Sequence, residues 1–292
     1  MKSNRLLPLL LFGLLLQATA CGVPSARDLP VISQFLPPTS TPTPLPTATS
    51  TVTATAVPTS TFTATVLPTS TPTSVPTPTA TLAPTPPPPP GAAEIARGDP
   101  GRPWIALTFD AGSTIAPLPS MLDTLRQKDV RCTFFLAGIA LRQPGAQDLL
   151  QQMVADGHEL ANHSDTHRDF RELTDEQIAE ELAALEKMVV EITGISTKPY
   201  FRPPYGARDD RVWRVVQENG YVSIYWTYQV WDWVEDKTTE TVFNYAIGGA
   251  CNGAIVVMHV QAQETADALP AIIDELRARG YRLVTLSELL AP

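Results

Sequence analysis

The 292-residue chain carries 21 basic and 30 acidic side chains, a formal charge of −9 at pH 7, over only 17% of its positions. An acidic balance of that size repels a phosphate backbone, which removes nucleic acid from the list of partners. With 43% apolar residues the chain can build one sizeable core, though not from its leading third, whose composition differs in kind.

Lys2 and Arg5 precede an apolar run from Leu6 to Leu16, which small residues then connect to Cys21. The run is shorter than the ~20 residues that a membrane-spanning helix needs. A charged start, a short apolar core and Ala18-Thr19-Ala20 instead match a cleavable secretory leader over residues 1–20. Ala18-Thr19-Ala20-Cys21-Gly22 also looks like a bacterial lipoprotein processing site, in which Cys21 becomes the lipid-modified first residue. The same residues satisfy an A-x-A site for plain secretion. Either way the expected address is extracytoplasmic, at a bacterial cell surface, with a membrane anchor at Cys21 on the first pattern.

Residues 21–96 read as a disordered linker. No charged residue lies between Asp28 and Glu94, and from Pro37 to Pro90 the chain is almost wholly threonine, proline, serine, alanine and valine. Such a segment has too few large apolar residues to offset its ordering entropy, and its prolines favour an extended conformation. At about 3.1 Å per residue it would reach on the order of 150 Å, the length of a stalk. Pro-Thr-Ser-Thr recurs at Pro38, Pro58 and Pro68 as a repetition of composition, without the pattern of a folded repeat.

The remainder, 97–292, is the size of one catalytic domain, expected to act as a monomer. Strand-like runs are predicted at 104–110, 131–137, 158–161, 200–202, 221–226, 254–259 and 281–285. Amphipathic helices separate them near 118–128, 147–156, 174–192, 209–219, 239–247 and 264–279. Thr174-Asp175-Glu176-Gln177 is a capping box and Gly194 a helix stop. About seven βα units in a row predict an α/β fold with a parallel sheet, closed as a barrel or left open. Of the remaining cysteines, Cys132 sits in a β-like run where a small thiol fits as packing, and a Cys132–Cys251 disulfide stays open.

Active sites of such barrels gather at the C-terminal ends of strands. Asp110 ends the first run in Thr108-Phe109-Asp110-Ala111-Gly112, where its plain reading is a turn residue. His163 and His167 stand four apart, a spacing that on a first helical turn sets both imidazoles on one face, within reach of one ion. Most such pairs bind nothing, and Ser164 separates this one from the zinc protease motif. Arg202 in Arg202-Pro203-Pro204-Tyr205-Gly206 places a guanidinium at a strand end, and His259 closes an apolar run. His158, the last of the 4 histidines, needs only a turn and a backbone hydrogen bond.

Taken in order with Thr133-Phe134-Phe135, Gly157-His158-Glu159, Asn162, Asp232-Trp233, Met258 and Gly280-Tyr281, these residues resemble the polysaccharide deacetylase family. That is carbohydrate esterase family 4, with its chitooligosaccharide deacetylase homology domain. The resemblance implies a distorted (β/α) barrel of seven strands and hydrolysis of N-acetyl or O-acetyl groups of a polysaccharide. It implies Asp110 as general base, Arg202 as its orienting partner, His259 as general acid, and His163 and His167 as ligands of a divalent metal, zinc above all. The Tyr205 amide would help to hold the oxyanion, and Trp233 would wall the acetyl pocket.

Two positions depart from the common family pattern. Ala111 stands where a second aspartate usually completes the metal site, so zinc is expected to bind more weakly, and Asp165 is poorly placed to replace it. Gln229 stands where an aspartate usually pairs with the acid histidine, which sets the expectation of a lower His259 pKa. The leading function is therefore a tethered deacetylase of peptidoglycan or a chitin-like glycan. Its rivals are a glycan-binding pseudoenzyme and a metal-independent hydrolase of small amides.

Overall fold

The computed structural model describes residues 94–292; the predicted leader, Cys21 and the linker up to residue 93 lie outside the described residues. The strands are β1 (Glu94–Ile95), β2 (Trp104–Ala111), β3 (Thr133–Leu136), β4 (Glu159–Asn162), β5 (Tyr200–Phe201), β6 (Val222–Ile224), β7 (Tyr228–Gln229), β8 (Ala254–His259) and β9 (Arg282–Val284). The helices are α1 (Leu118–Gln127), α2 (Gly138–Leu141), α3 (Ala146–Ala155), α4 (Asp175–Thr193), α5 (Asp210–Glu218), α6 (Thr239–Gly248), α7 (Gln263–Ala278) and α8 (Leu286–Leu290).

Local signals explain most of these elements. α1 buries Leu118, Met121, Leu122 and Leu125, the spacing of one helical face. α4 opens on the capping box of Thr174 and Gln177 and stops at Gly194, which takes the left-handed conformation with φ 74°. All seven predicted strands are present, and β1 and β7 are additions of two residues each. No helix among the described residues is long and apolar enough to cross a membrane.

The strands form one 9-stranded sheet in the order β1-β6-β5-β4-β3-β2-β8-β7, with β9 also paired to β2. Every strand pairing is parallel. β8 follows one side of β2 over 105–110, while the other side is shared by β9 over 104–106 and β3 over 108–111. The ladder divides at β2, so the sheet curls into a distorted barrel that does not close evenly. β1 pairs with β6, and Arg97 then bridges antiparallel to Ala254 at the foot of β8, so segment 94–97 crosses the gap between those strands.

Alternation along β2 sorts its side chains between two layers. Ile105, Leu107, Phe109 and Ala111 join the larger core with α1 and α7 residues such as Leu122 and Leu269. Ala106 belongs to the inner cluster with Phe135, Ala161, Ile255 and Val284. Thr108 and Asp110 continue that inner face, which places the carboxylate inside the mouth of the barrel and Ala111 against the helices. Cys132 is a buried free thiol, so a Cys132–Cys251 bridge is not made. Its backbone N–H donates to Nδ1 of His158 at 3.2 Å, the hydrogen bond foreseen for that histidine.

Candidate active site

Asp110 and His259 are register partners at the C-terminal ends of β2 and β8. Arg202, just past β5, reaches across the barrel, fully buried, and its Nη1 donates to Asp110 Oδ1 at 2.6 Å and to Thr108 Oγ1 at 2.9 Å. Nη2 and Nε turn to the carbonyls of Tyr225 and Ile224 at 3.3 and 3.4 Å, and the guanidinium lies 3.9 Å from the Phe135 ring centroid. A buried guanidinium is thus paired, hydrogen-bonded and stacked, as its desolvation demands. Burial alone would raise the Asp110 pKa, but the charge and hydrogen bond of Arg202, with the charge of His259, outweigh it and hold the carboxyl below its ordinary value. Asp110 is an ionised, oriented carboxylate.

His163 and His167 do come together, but not on the helical turn that their spacing suggested. They sit in a loop after β4 in which Ser164 and His167 take positive φ, 70° and 57°. Side chains hold the turn: Asn162 Oδ1 accepts the Ser164 N–H and Ser164 Oγ accepts the His167 N–H, each at 2.9 Å. These bonds supply what a helix would have supplied. Asp165 points elsewhere, as expected, because its carboxylate is taken by Arg142 Nη2 at 2.6 Å.

The pair suits a cation. Nδ1 of His163 donates to the Arg202 carbonyl at 2.7 Å, which leaves its Nε2 with a free lone pair, 3.2 Å from Nε2 of His167. Two nitrogens bound to one tetrahedral zinc at about 2.0–2.1 Å stand roughly 3.3 Å apart. Burial lowers the pKa of His163, and burial with the nearby His163 takes His167 down to about 4, so both rings are neutral near pH 7. Gly112 makes room, since a Cβ there would lie 2.5 Å from His167 Nε2. Among the described residues no group of three or more histidines, cysteines or carboxylates placed to hold a metal ion is present. Asp110 Oδ2 is 3.7 Å from His163 Nε2.

His259 corrects the expectation built on Gln229. Its partner is Asp232, which is 1% exposed and accepts the His259 Nδ1–H and backbone N–H, each at 2.7 Å, as well as the Thr265 hydroxyl at 2.6 Å. Burial disfavours the charged ring, but the hydrogen bond and charge of Asp232 prevail, and the His259 pKa is raised rather than lowered. Gln229 instead accepts the indole N–H of Trp233 at 3.3 Å. Asp232 was visible in the sequence beside Trp233; the structure shows what it holds.

Tyr205 and Trp233 stand at the rim, 73% and 55% exposed. The Tyr205 ring centroid is 4.7 Å from that of His167, and its backbone is left-handed, φ 60°. Gly206 follows at φ 66°, where a Cβ would meet the Trp226 ring at 2.8 Å. Trp231, which the sequence did not single out, has φ 56° and sets its ring 5.7 Å from Trp233. An ionised carboxylate, a histidine held by an aspartate, and two neutral imidazoles thus gather at the strand ends, with the exposed Tyr205 ring against His167. Such a set can move protons on a polar bond of an extended substrate.

Residues 97–224 match the polysaccharide deacetylase family model. The chain is 32% identical over 189 residues to the peptidoglycan-N-acetylmuramic acid deacetylase PdaA of Bacillus subtilis, covering 64% of this chain and 71% of that protein. The solved structure of B. subtilis PdaA, a family 4 carbohydrate esterase, superposes with a TM-score of 0.64 at 30% identity, over 68% of this chain and 84% of PdaA. A family 4 pseudoenzyme from Bacillus anthracis superposes with a TM-score of 0.63 at 28% identity, over 68% and 69% of the two chains. With the site geometry and these likenesses together, the chain belongs to the polysaccharide deacetylases of carbohydrate esterase family 4, hydrolases of acetylated glycans.

Proposed function

We propose that this protein is an exported deacetylase, tethered to the bacterial surface through a lipid on Cys21, that removes N-acetyl groups from an envelope glycan such as peptidoglycan or a chitin-like polymer. O-acetyl esters are the alternative bond. The observation that carries the reading is the adjacency of two oppositely tuned groups: Asp110, held ionised, lies next to His259, held ready to keep a proton. The named activity of the B. subtilis relative supports the peptidoglycan assignment, and the leader pattern at 1–20 supports export.

On this reading Asp110 takes a proton from water as the oxygen attacks the acetyl carbonyl carbon. Arg202 keeps the carboxylate ionised and aimed. As the carbon–nitrogen bond breaks, His259 gives its proton to the leaving amine, and Asp232 steadies the imidazolium until then. Each transfer is worth roughly 10² to 10⁴ in rate. A divalent cation, zinc above all, held by His163 and His167, would polarise the acetyl carbonyl. The Tyr205 N–H would donate to the developing oxyanion, and Trp233 would close the acetyl pocket.

The test is acetate release by the full chain from chitooligosaccharides, peptidoglycan and acetylated xylan, with added zinc or cobalt and with chelator. Release that depends on the metal supports the reading. The two-histidine set favours a second one, because it lacks a third protein ligand among the described residues and a structural relative is described as a pseudoenzyme. Glycan binding with no acetate release from any substrate would select that reading. Release indifferent to chelator would select a metal-free hydrolase.

A further inference from the structure

The loop that carries His167 is held by a residue outside the site. Glu181, on α4, directs one carboxylate oxygen at two successive amides, accepting the N–H of Asp165 at 2.9 Å and of Thr166 at 2.7 Å. Its other oxygen takes the Thr166 hydroxyl. The far side of the same turn is fixed by α2, where the N–H groups of Gly138 and Ile139 donate to the carbonyls of Ser164 and Asp165 at 3.1 and 2.9 Å. A Cβ at Gly138 would collide with the Asp165 carboxylate. The backbone between Ser164 and His167 is therefore clamped from two helices while its end residues hold positive φ, a conformation that side chains other than glycine seldom adopt unaided.

We propose that Glu181 is the positioning residue for His167: by capturing the two amides that precede it, Glu181 keeps the imidazole against His163 in the geometry that accepts a cation. This rests on the reading of His163 and His167 as ligands. Outer partners that orient ligating histidines commonly act on the ring itself; Glu181 acts one step back, through the peptide that carries the ring. This carboxylate is bonded to the loop at Asp165 and Thr166, so its effect belongs to metal affinity and ligand geometry.

The experiment uses the full chain as wild type, Glu181→Ala, Glu181→Gln and His167→Ala. It measures Co(II) affinity by calorimetry, the visible d–d spectrum of the Co(II) form, and the thermal midpoint of each protein. Glu181→Ala is expected to weaken Co(II) binding by about 10- to 100-fold and to change the spectrum at temperatures where it remains folded. Glu181→Gln, whose amide oxygen can still accept both N–H groups, is expected to stay within a few-fold of wild type. Equal affinity and an unchanged spectrum in folded Glu181→Ala would overturn the proposal. Equal Co(II) binding by wild type and His167→Ala, or none by wild type, would instead remove the ligand reading. The imidazole ¹⁵N resonances of His163 and His167 without metal then decide the positioning alone: broadened or shifted His167 signals in Glu181→Ala support it, and unchanged signals overturn it.

Discussion

Asp232 grips His259 at two points, one carboxylate oxygen 2.7 Å from the ring Nδ1 and the other 2.7 Å from the backbone nitrogen. The second bond fixes the strand end, and the first fixes the tautomer, so Nε2 is left as the ring nitrogen that can exchange a proton with a substrate. The aspartate thus acts on both where the imidazole is and how tightly it keeps its proton.

Asp232→Asn preserves the shape and removes the charge, so the His259 pKa should fall. Because an acid must be protonated to act, the alkaline limb of the kcat/KM profile should move to lower pH. Stability should follow the same group. With the folded pKa raised, its contribution is complete below the ordinary imidazole value and is lost as pH rises through the folded one. Wild type should therefore lose more of its thermal midpoint across that window than the variant, and coincident profiles would contradict the assignment.

Arg202→Met leaves Asp110 as an unpaired buried carboxylate. Breaking such a pair from one side typically costs about 3–5 kcal/mol, readable in urea denaturation at neutral pH. Asp110 should then protonate at higher pH, so the acid limb of the rate profile should move upward. Asp110→Asn in the Arg202→Met background should recover part of the stability, since no buried charge remains. A double variant no more stable than Arg202→Met would count against the buried ion pair as the cause.

Ala111→Asp adds the carboxylate common in the family at a position that is 1% exposed and packed in the larger core. Without metal the variant should be less stable than wild type, because a buried charge lacks a partner. If the strand end turns residue 111 from the helix layer toward His163, zinc should bind more tightly than to wild type, and its addition should raise the variant's Tm by more than it raises that of the parent. Equal zinc responses of the two proteins would show that the strand end does not turn toward His163.

Gly112→Ala tests the histidine pair from the other side. The added Cβ would press on His167 Nε2 at 2.5 Å and push the ring from His163. Loss of about 10- to 100-fold in zinc affinity is expected, with the circular dichroism spectrum unchanged. Retained affinity would argue that the loop yields and the pair is less fixed than it looks.

Gln229→Leu frees the Trp233 indole without touching Asp232. A hydrogen bond worth about 1 kcal/mol translates to roughly a 5-fold change. It should appear in KM for a polymeric substrate, with kcat and the pH profile held. A moved alkaline limb would revive the histidine partnership first expected of this residue.

The alternation of apolar runs and amphipathic stretches made the barrel legible, because six of its helices are long enough to show their period and the apolar runs of seven strands fall before, between and after them. β7 and α2 are too short for any period to register, and only pairing and packing reveal them. At the site, Asp110, Arg202 and His259 could be placed because strand ends are predictable. The histidine pair could be named but not shaped, since its geometry comes from Asn162, Ser164 and Glu181 bonding to the backbone, which spacing does not encode. The partner of His259 was misassigned for a related reason. Gln229 ends β7 and Asp232 opens the turn that follows, with Trp231 at positive φ between them, and the direction of each side chain depends on that backbone.

The entry of the chain into the barrel is tied to the segment that follows Tyr205. Glu94 lies in β1, hydrogen-bonded in parallel with β6, and its carboxylate meets Arg208 Nε at 2.8 Å, while the Arg208 guanidinium stacks 3.4 Å over the Tyr225 ring. The ion pair lies just beyond the loop that carries Tyr205, so the first described strand and the residues that follow that tyrosine are joined through one guanidinium.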